Sequence, residues 1–118
     1  MVAAGVCDEV LVQVAYAIGV AQPVGLYVNT YGTSHVNMSD GEIASKINNI
    51  FDMRPYAIVE RFGLKNPIYE PTAAYGHMGR DPYQAEVTLT RNGKEVKEMV
   101  DFFGWEKIGL CRKNQKGV

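Results

Sequence analysis

Hydrophobic and polar positions alternate in two runs near the start of the chain. From Glu9 to Tyr16, the residues Val10, Val12, Val14 and Tyr16 alternate with Leu11, Gln13 and Ala15. A period of two rich in β-branched residues predicts a strand. Beyond Gly19 and Pro23, Val24, Leu26 and Val28 alternate with Gly25, Tyr27 and Asn29 until Tyr31-Gly32-Thr33-Ser34 breaks the run, so a second strand paired with the first is expected.

The period changes at Ser39-Asp40-Gly41-Glu42. A serine hydroxyl followed three residues later by glutamate is the signature of a capping box, and a helix should start there. Ile43, Ile47, Ile50 and Phe51 then fall on one face of a 3.6-residue period, with Ser45, Lys46, Asn48 and Asn49 left for water. Arg54-Pro55 opens another helix with Ile58, Val59 and Phe62 apolar, Gly63 as its stop and Asp52 as its expected cap. Residues 65–80 carry Pro67, Pro71, Gly76 and Gly79, which predicts an ordered connection or one short helical turn. Val87 and Leu89, the turn Arg91-Asn92-Gly93-Lys94, and Val96 read as a β-hairpin, because Asn-Gly takes the positive φ angles of a tight turn. Its outward residues Thr88, Thr90, Lys94, Glu95 and Lys97 suggest a solvated ribbon. Met1 to Val6 reads as the tail of a helix stopped by Gly5, so the sequence is expected to open inside something larger. The polar stretch 112–118 is expected to fray.

At 118 residues the chain has the size of one domain, and residues 1–118 are taken as such. A formal net charge of -1 supplies no broad basic field for nucleic-acid phosphates. No apolar run in the sequence approaches the roughly 18 residues of a membrane span. Neither nucleic acid nor membrane is therefore an expected partner. Cys7 and Cys111 stand far apart, without the paired spacing of a metal site or redox dithiol; read as reduced thiols in a chain without a signal peptide, they point to the cytoplasm. Asn37-Met38-Ser39 fits a glycosylation pattern that matters only in secreted proteins.

Candidate chemistry is thin. His35 and His77 titrate near neutrality in the unperturbed state, yet neither has a partner in sequence. Arg80 and the amides of the glycine-rich turn around His77 offer an anion site, set against the plainer reading that the loop bonds within itself. Glu60, Glu70, Asp81 and Asp101 are scattered and predict no magnesium site. Tyr27, Tyr31, Tyr69, Tyr75, Phe102, Phe103 and Trp105 divide between core and a subunit interface.

Several runs together carry a resemblance: Val10 to Val20 as Val-Leu-Val-Gln-Val-Ala-Tyr-Ala-Ile-Gly-Val, Tyr31-Gly32-Thr33-Ser34, Phe51-Asp52-Met53-Arg54-Pro55, Pro67-Ile68-Tyr69, Thr72 to Arg80 as Thr-Ala-Ala-Tyr-Gly-His-Met-Gly-Arg, and Trp105-Glu106-Lys107. In order and spacing the chain resembles the C-terminal domain of S-adenosylmethionine synthetase, or methionine adenosyltransferase. One departure is the stretch 82–101, longer than the family's usual link and read as an inserted hairpin.

The resemblance implies an α+β fold: a two-layer sandwich of mostly antiparallel sheet with helices on one face, one of three repeated domains. It implies a parent enzyme that forms S-adenosylmethionine, phosphate and diphosphate from ATP, L-methionine and water, assisted by Mg2+ and K+, with upstream domains of the same protein and a homodimer or homotetramer as partners. The family's catalytic histidine, metal ligands and phosphate-binding residues match no position here, so no catalytic or metal residue is expected in this chain, and the isolated chain is expected to be inactive. Ile18 matches the isoleucine that lines the family's adenine pocket, with Ala17 and Gly19 shaping the backbone around it; its plain alternative is core packing. A standalone α+β protein-interaction module without catalysis is the competing reading. A small hydrolase centred on His77 and Arg80 is a third, and it lacks a nucleophile.

Overall fold

The computed structural model describes residues 1–108; Cys111 and the 112–118 tail lie outside the described residues. Two compact units form, Met1–Pro55 and Tyr56–Lys107. Both are α+β with antiparallel strands, the class expected from the sequence.

In the first unit the chain opens with a 3-10 turn, Val2–Ala4, closed by Gly5 at φ 76°. Strand β1 (Leu11–Ala15) pairs antiparallel with β2 (Gly25–Asn29), with Val12 opposite Val28 and Val14 opposite Leu26. Helix α1 (Asp40–Ile50) starts where the capping box predicts. The Ser39 amide donates to Glu42 Oε2 at 2.7 Å, and the Glu42 amide returns to Ser39 Oγ at 3.3 Å. Two orphan amides of the first turn are thereby satisfied. The apolar face of α1 places Ile43 and Ile47 on Val28, and Leu26, Phe51 and Met53 pack around this buried cluster. Asp52, expected to cap the next helix, accepts from the Arg54 amide at 3.2 Å and holds the Arg54 guanidinium at 2.6 Å.

In the second unit α2 (Pro55–Phe62) ends in a Schellman motif. The Gly63 amide reaches the Glu60 carbonyl at 3.4 Å and the Leu64 amide reaches that of Val59 at 3.0 Å. Gly63 sits at φ 59°, and a Cβ there would lie 2.9 Å from the Asn66 side chain. A short helix α3 (Tyr69–Ala73) supplies the helical turn expected within residues 65–80. Strands β3 (Tyr83–Arg91) and β4 (Lys94–Phe102) form the hairpin, longer at both ends than its Val-Leu-Val core suggested. Asn92 and Gly93 both have positive φ, 52° and 75°, which is the type I′ geometry that Asn-Gly favours. The base of the hairpin buries Val100 and Phe102 with Ile68 and Phe103, while its far half is solvated.

Ile43 is fully buried, so Ile43→Ala is expected to destabilise the unit by about 2–5 kcal/mol, and Ser39→Ala by about 1 kcal/mol. Urea unfolding followed by circular dichroism checks both. The Ser39 backbone amide holds the Glu42 carboxyl below its ordinary 4.5. A depressed carboxylate stabilises above its unfolded pKa and loses that contribution as pH falls through the folded value. Ser39→Ala keeps that amide and loses the hydroxyl's own bond to Glu42 Oε2 at 3.0 Å, the second cause of the lowered value, so only this part of its penalty is expected to fade as pH falls below about 4.5.

Candidate functional site

The Tyr16–Val20 run connects β1 to β2. Its local course follows from one glycine: the Val20 amide donates to the Ala17 carbonyl at 3.1 Å, closing a four-residue turn with Ile18 and Gly19 at its corners. Gly19 takes φ 79°, the third-position geometry of a type II turn, which strongly favours glycine. The turn is anchored at both ends. The Val24 amide donates to the Ala15 carbonyl at 2.9 Å, and the Tyr16 hydroxyl donates to the Met53 carbonyl at 2.5 Å.

This geometry bears on the alternative left open for Ile18. Ile18 is fully exposed, beside exposed Val20 and Val24, and packs in no core among the described residues. An anchored turn presents an apolar side chain wholly to solvent, an arrangement suited to covering the flat face of a ligand. Further along the same segment, Pro23, Val24 and Leu26 face Gly41, Ala44 and Ser45 of α1 across a cavity of about 340 Å³.

The second candidate, the loop after α3, is an internally bonded structure. Tyr75, Gly76 and Gly79 all have positive φ, 60°, 87° and 70°. Arg80 Nη1 donates to the Ala74 carbonyl at 2.8 Å and lies near that of Gly76 at 3.5 Å, while its guanidinium stacks 4.8 Å from the Phe103 ring. Trp105 Nε1 donates to the His77 carbonyl at 2.6 Å, and Glu106 Oε1 accepts from the Gly79 amide at 2.5 Å. The cation that an anion site requires is thus turned onto carbonyl oxygens. An apolar cavity of about 440 Å³ lies beside the loop, lined by Tyr69, Thr72, Ala73, His77, Met78 and Trp105. The Thr72 hydroxyl there donates to the Ile68 carbonyl at 2.9 Å, and the His77 ring meets the edge of Trp105. No activated nucleophile results.

His35 sits far from this loop in sequence and acts as a strap: Nε2 lies 2.7 Å from Asp8 Oδ1, and its amide donates to the Val6 carbonyl at 2.8 Å. Cys7 is buried beside it in a bridge to Ser34, and burial pushes its thiol up from 9.0. Asp101 joins Lys107 at 2.8 Å and Gln84 at 3.0 Å, and the Lys107 ammonium holds its carboxyl below the usual range. Among the described residues no three His, Cys, Asp or Glu side chains gather where they could hold a metal ion. The magnesium and potassium implied by the resemblance thus find no such ligand set here. No helix among those residues is long and apolar enough to cross a membrane.

Sequence reasoning missed the groups that hold the two turns. In the sequence Tyr16 reads only as part of a strand, Trp105 only as a core or interface aromatic, and Glu106 has no assigned role. For Trp105 a signal was present, since a half-buried indole N–H needs an acceptor.

Antiparallel hairpins, a capped helix on one of them and an exposed apolar turn define an α+β chain. The profile of the "S-adenosylmethionine synthetase, C-terminal domain" family matches residues 1–87. The S-adenosylmethionine synthase of Porphyromonas gingivalis is 63% identical over 96% of the chain, and that of Cytophaga hutchinsonii 58% identical over 98%. The chain covers 27% and 28% of those proteins, about a quarter of their length. Among solved structures, an unusual S-adenosylmethionine synthetase from Campylobacter jejuni superposes with a TM-score of 0.75 at 26% identity, over 99% of this chain and 26% of that one. The chain belongs to the family of S-adenosylmethionine synthetase C-terminal domains.

Arg80→Lys keeps the charge and loses the planar grip on two carbonyls and a ring. Amide hydrogen exchange at residues 75–79 is expected to accelerate several-fold, with the β3–β4 ladder unchanged.

Proposed function

We propose that the chain acts within a methionine adenosyltransferase, which forms S-adenosylmethionine, phosphate and diphosphate from ATP, L-methionine and water, and that its own contribution is architectural plus one wall of the adenosine pocket. The observation that carries this reading is the anchored turn with Ile18 fully exposed, in a chain of this family. Apolar contact from Ile18 to the base, with Ala17 and Gly19 letting the backbone approach, is the role that fits its geometry. The residues that activate methionine and ATP, and those that hold Mg2+ and K+, are supplied by the rest of the parent protein. The chain alone is inactive. Its partners are the upstream domains and further copies of the parent in a homodimer or homotetramer, and its compartment is the cytoplasm.

Support for a need of other domains comes from the exposed apolar residues Leu11, Val12, Tyr27 and Tyr31 on and beside the first hairpin, since such surface favours cover by a partner. In that setting clustered cations stabilise the negative charge that builds on a leaving triphosphate; none of that cluster is assigned to this chain.

Incubation with ATP, L-methionine, magnesium and potassium, read by mass spectrometry, tests the reading. The chain alone is expected to give no S-adenosylmethionine, and addition of the remaining three quarters of the Porphyromonas gingivalis synthase is expected to give product. Product from the chain alone would refute the architectural role. An Ile18→Asp substitution in the complete enzyme is expected to raise the KM for ATP about tenfold or more, since a charge against the base face is poorly tolerated. Because Ile18 is wholly exposed here, the chain's own stability is expected to stay within about 0.5 kcal/mol.

A further inference from the structure

The β3–β4 hairpin forms a two-stranded sheet, so each strand has one edge without a backbone partner in that sheet. Along β4 every second residue directs its N–H and C=O away from β3. The far half of β4 reads Lys94-Glu95-Val96-Lys97-Glu98, with Lys94 to Lys97 exposed. Charged edge strands ordinarily discourage pairing. Here the order of the charges does the opposite for one partner.

Turned antiparallel against itself about a two-fold axis through Val96, this segment sets Lys94 against Glu98 and Glu95 against Lys97, each pairing occurring twice, with Val96 on Val96 at the axis. Neighbouring registers fail. An axis at Glu95 or Lys97 opposes like charges on the axis itself. An axis between Val96 and Lys97 opposes Glu95 to Glu98, and one between Glu95 and Val96 opposes Lys94 to Lys97. Opposite charges directly across strands stabilise and like charges destabilise, so among these neighbouring registers the charges favour the one centred on Val96.

The hairpin leaves room for such a partner. Lys94 lies opposite Arg91 within the hairpin, a like-charge pair, and Glu98 reaches back to Arg91 at 3.1 Å. Among the described residues Lys94 and Glu95 make no ion pair. A second copy would bring a carboxylate to Lys94 and an ammonium to Glu95, while extending a two-stranded ribbon, marginal in isolation, to four strands.

We propose that the outer edge of β4 is a self-association surface, pairing antiparallel with β4 of a second copy of this chain through the Val96-centred register. This contact is separate from the adenosine-pocket reading, and its test does not involve activity.

Sedimentation equilibrium of the full chain across a concentration series is the measurement. The wild type is expected to associate, more weakly at high salt. Glu95→Lys alone and Lys97→Glu alone each oppose like charges across the axis, and each is expected to weaken association roughly tenfold or more. An equimolar mixture of the two variants restores every opposite pairing and is expected to recover association, as is the Glu95→Lys/Lys97→Glu double variant. Lys97 also lies 3.8 Å from Glu86, so recovery by the mixture separates a lost interface from a weakened hairpin. Wild-type association unaffected by either single variant, a mixture as weak as its components, or no association up to about millimolar would each overturn the proposal. Directly opposite strand residues stand about 4.5–5.5 Å apart at Cα, within disulfide reach. Val96→Cys is therefore expected to cross-link on oxidation where the wild type does not, and failure to do so would overturn the register.

Discussion

The Asp40 carboxylate is the constraint on which the first unit depends. It receives the Thr30 hydroxyl at 2.6 Å and the Thr30 amide at 3.2 Å, with Thr30 itself buried. One side chain at the start of α1 thereby fixes the end of β2. That junction sets where α1 lies along the sheet, which places Ile43 and Ile47 over Val28. Burying those aliphatic groups holds β2, β2 holds β1 through its register, and the two strands hold the turn that carries Ile18. A buried hydroxyl without its acceptor costs more than the bond itself contributes, so loss of the Asp40 carboxylate would weaken this junction beyond the two bonds it makes.

The second unit solves a different problem. Its loop from Ala74 to Arg80 holds a non-glycine residue, Tyr75, at positive φ, a conformation that costs of order 1 kcal/mol or more and persists only where surroundings enforce it. Arg80, Trp105 and Glu106 enforce it by binding the loop's own carbonyls and amide. The arginine that looks chemical in the sequence is therefore occupied in holding a backbone shape, and the histidine beside it lends its carbonyl to Trp105.

Much of this architecture was legible because it rests on local rules. Period-two alternation gave both strands of the first hairpin, Ser39 and Glu42 gave the start of α1, Gly63 gave the end of α2, and Asn92-Gly93 gave the second turn. What stayed hidden depends on residues distant in sequence. Nothing near Tyr16 announces that its hydroxyl binds Met53, and nothing near Gly79 announces Glu106. The hairpin's base alternates as well, with Val100 and Phe102 buried and Met99 and Asp101 between and beside them, but Ile68, against which it packs, lies distant in sequence. Ile18 was singled out only through the family resemblance; its exposure required the fold.

Fold and family together describe a C-terminal domain of the S-adenosylmethionine synthetase family. Its distinctive offering is an apolar side chain raised on a glycine turn, braced by a tyrosine and a strand, with no charged group in the turn itself. The proposed contact with a base rests on that exposed side chain. The most direct measurement is amide hydrogen exchange at Gly19 and Val20 in the complete enzyme, with and without adenosine. The account predicts slower exchange at these amides when adenosine binds; unchanged exchange there, accompanied by protection elsewhere in the enzyme, would contradict it.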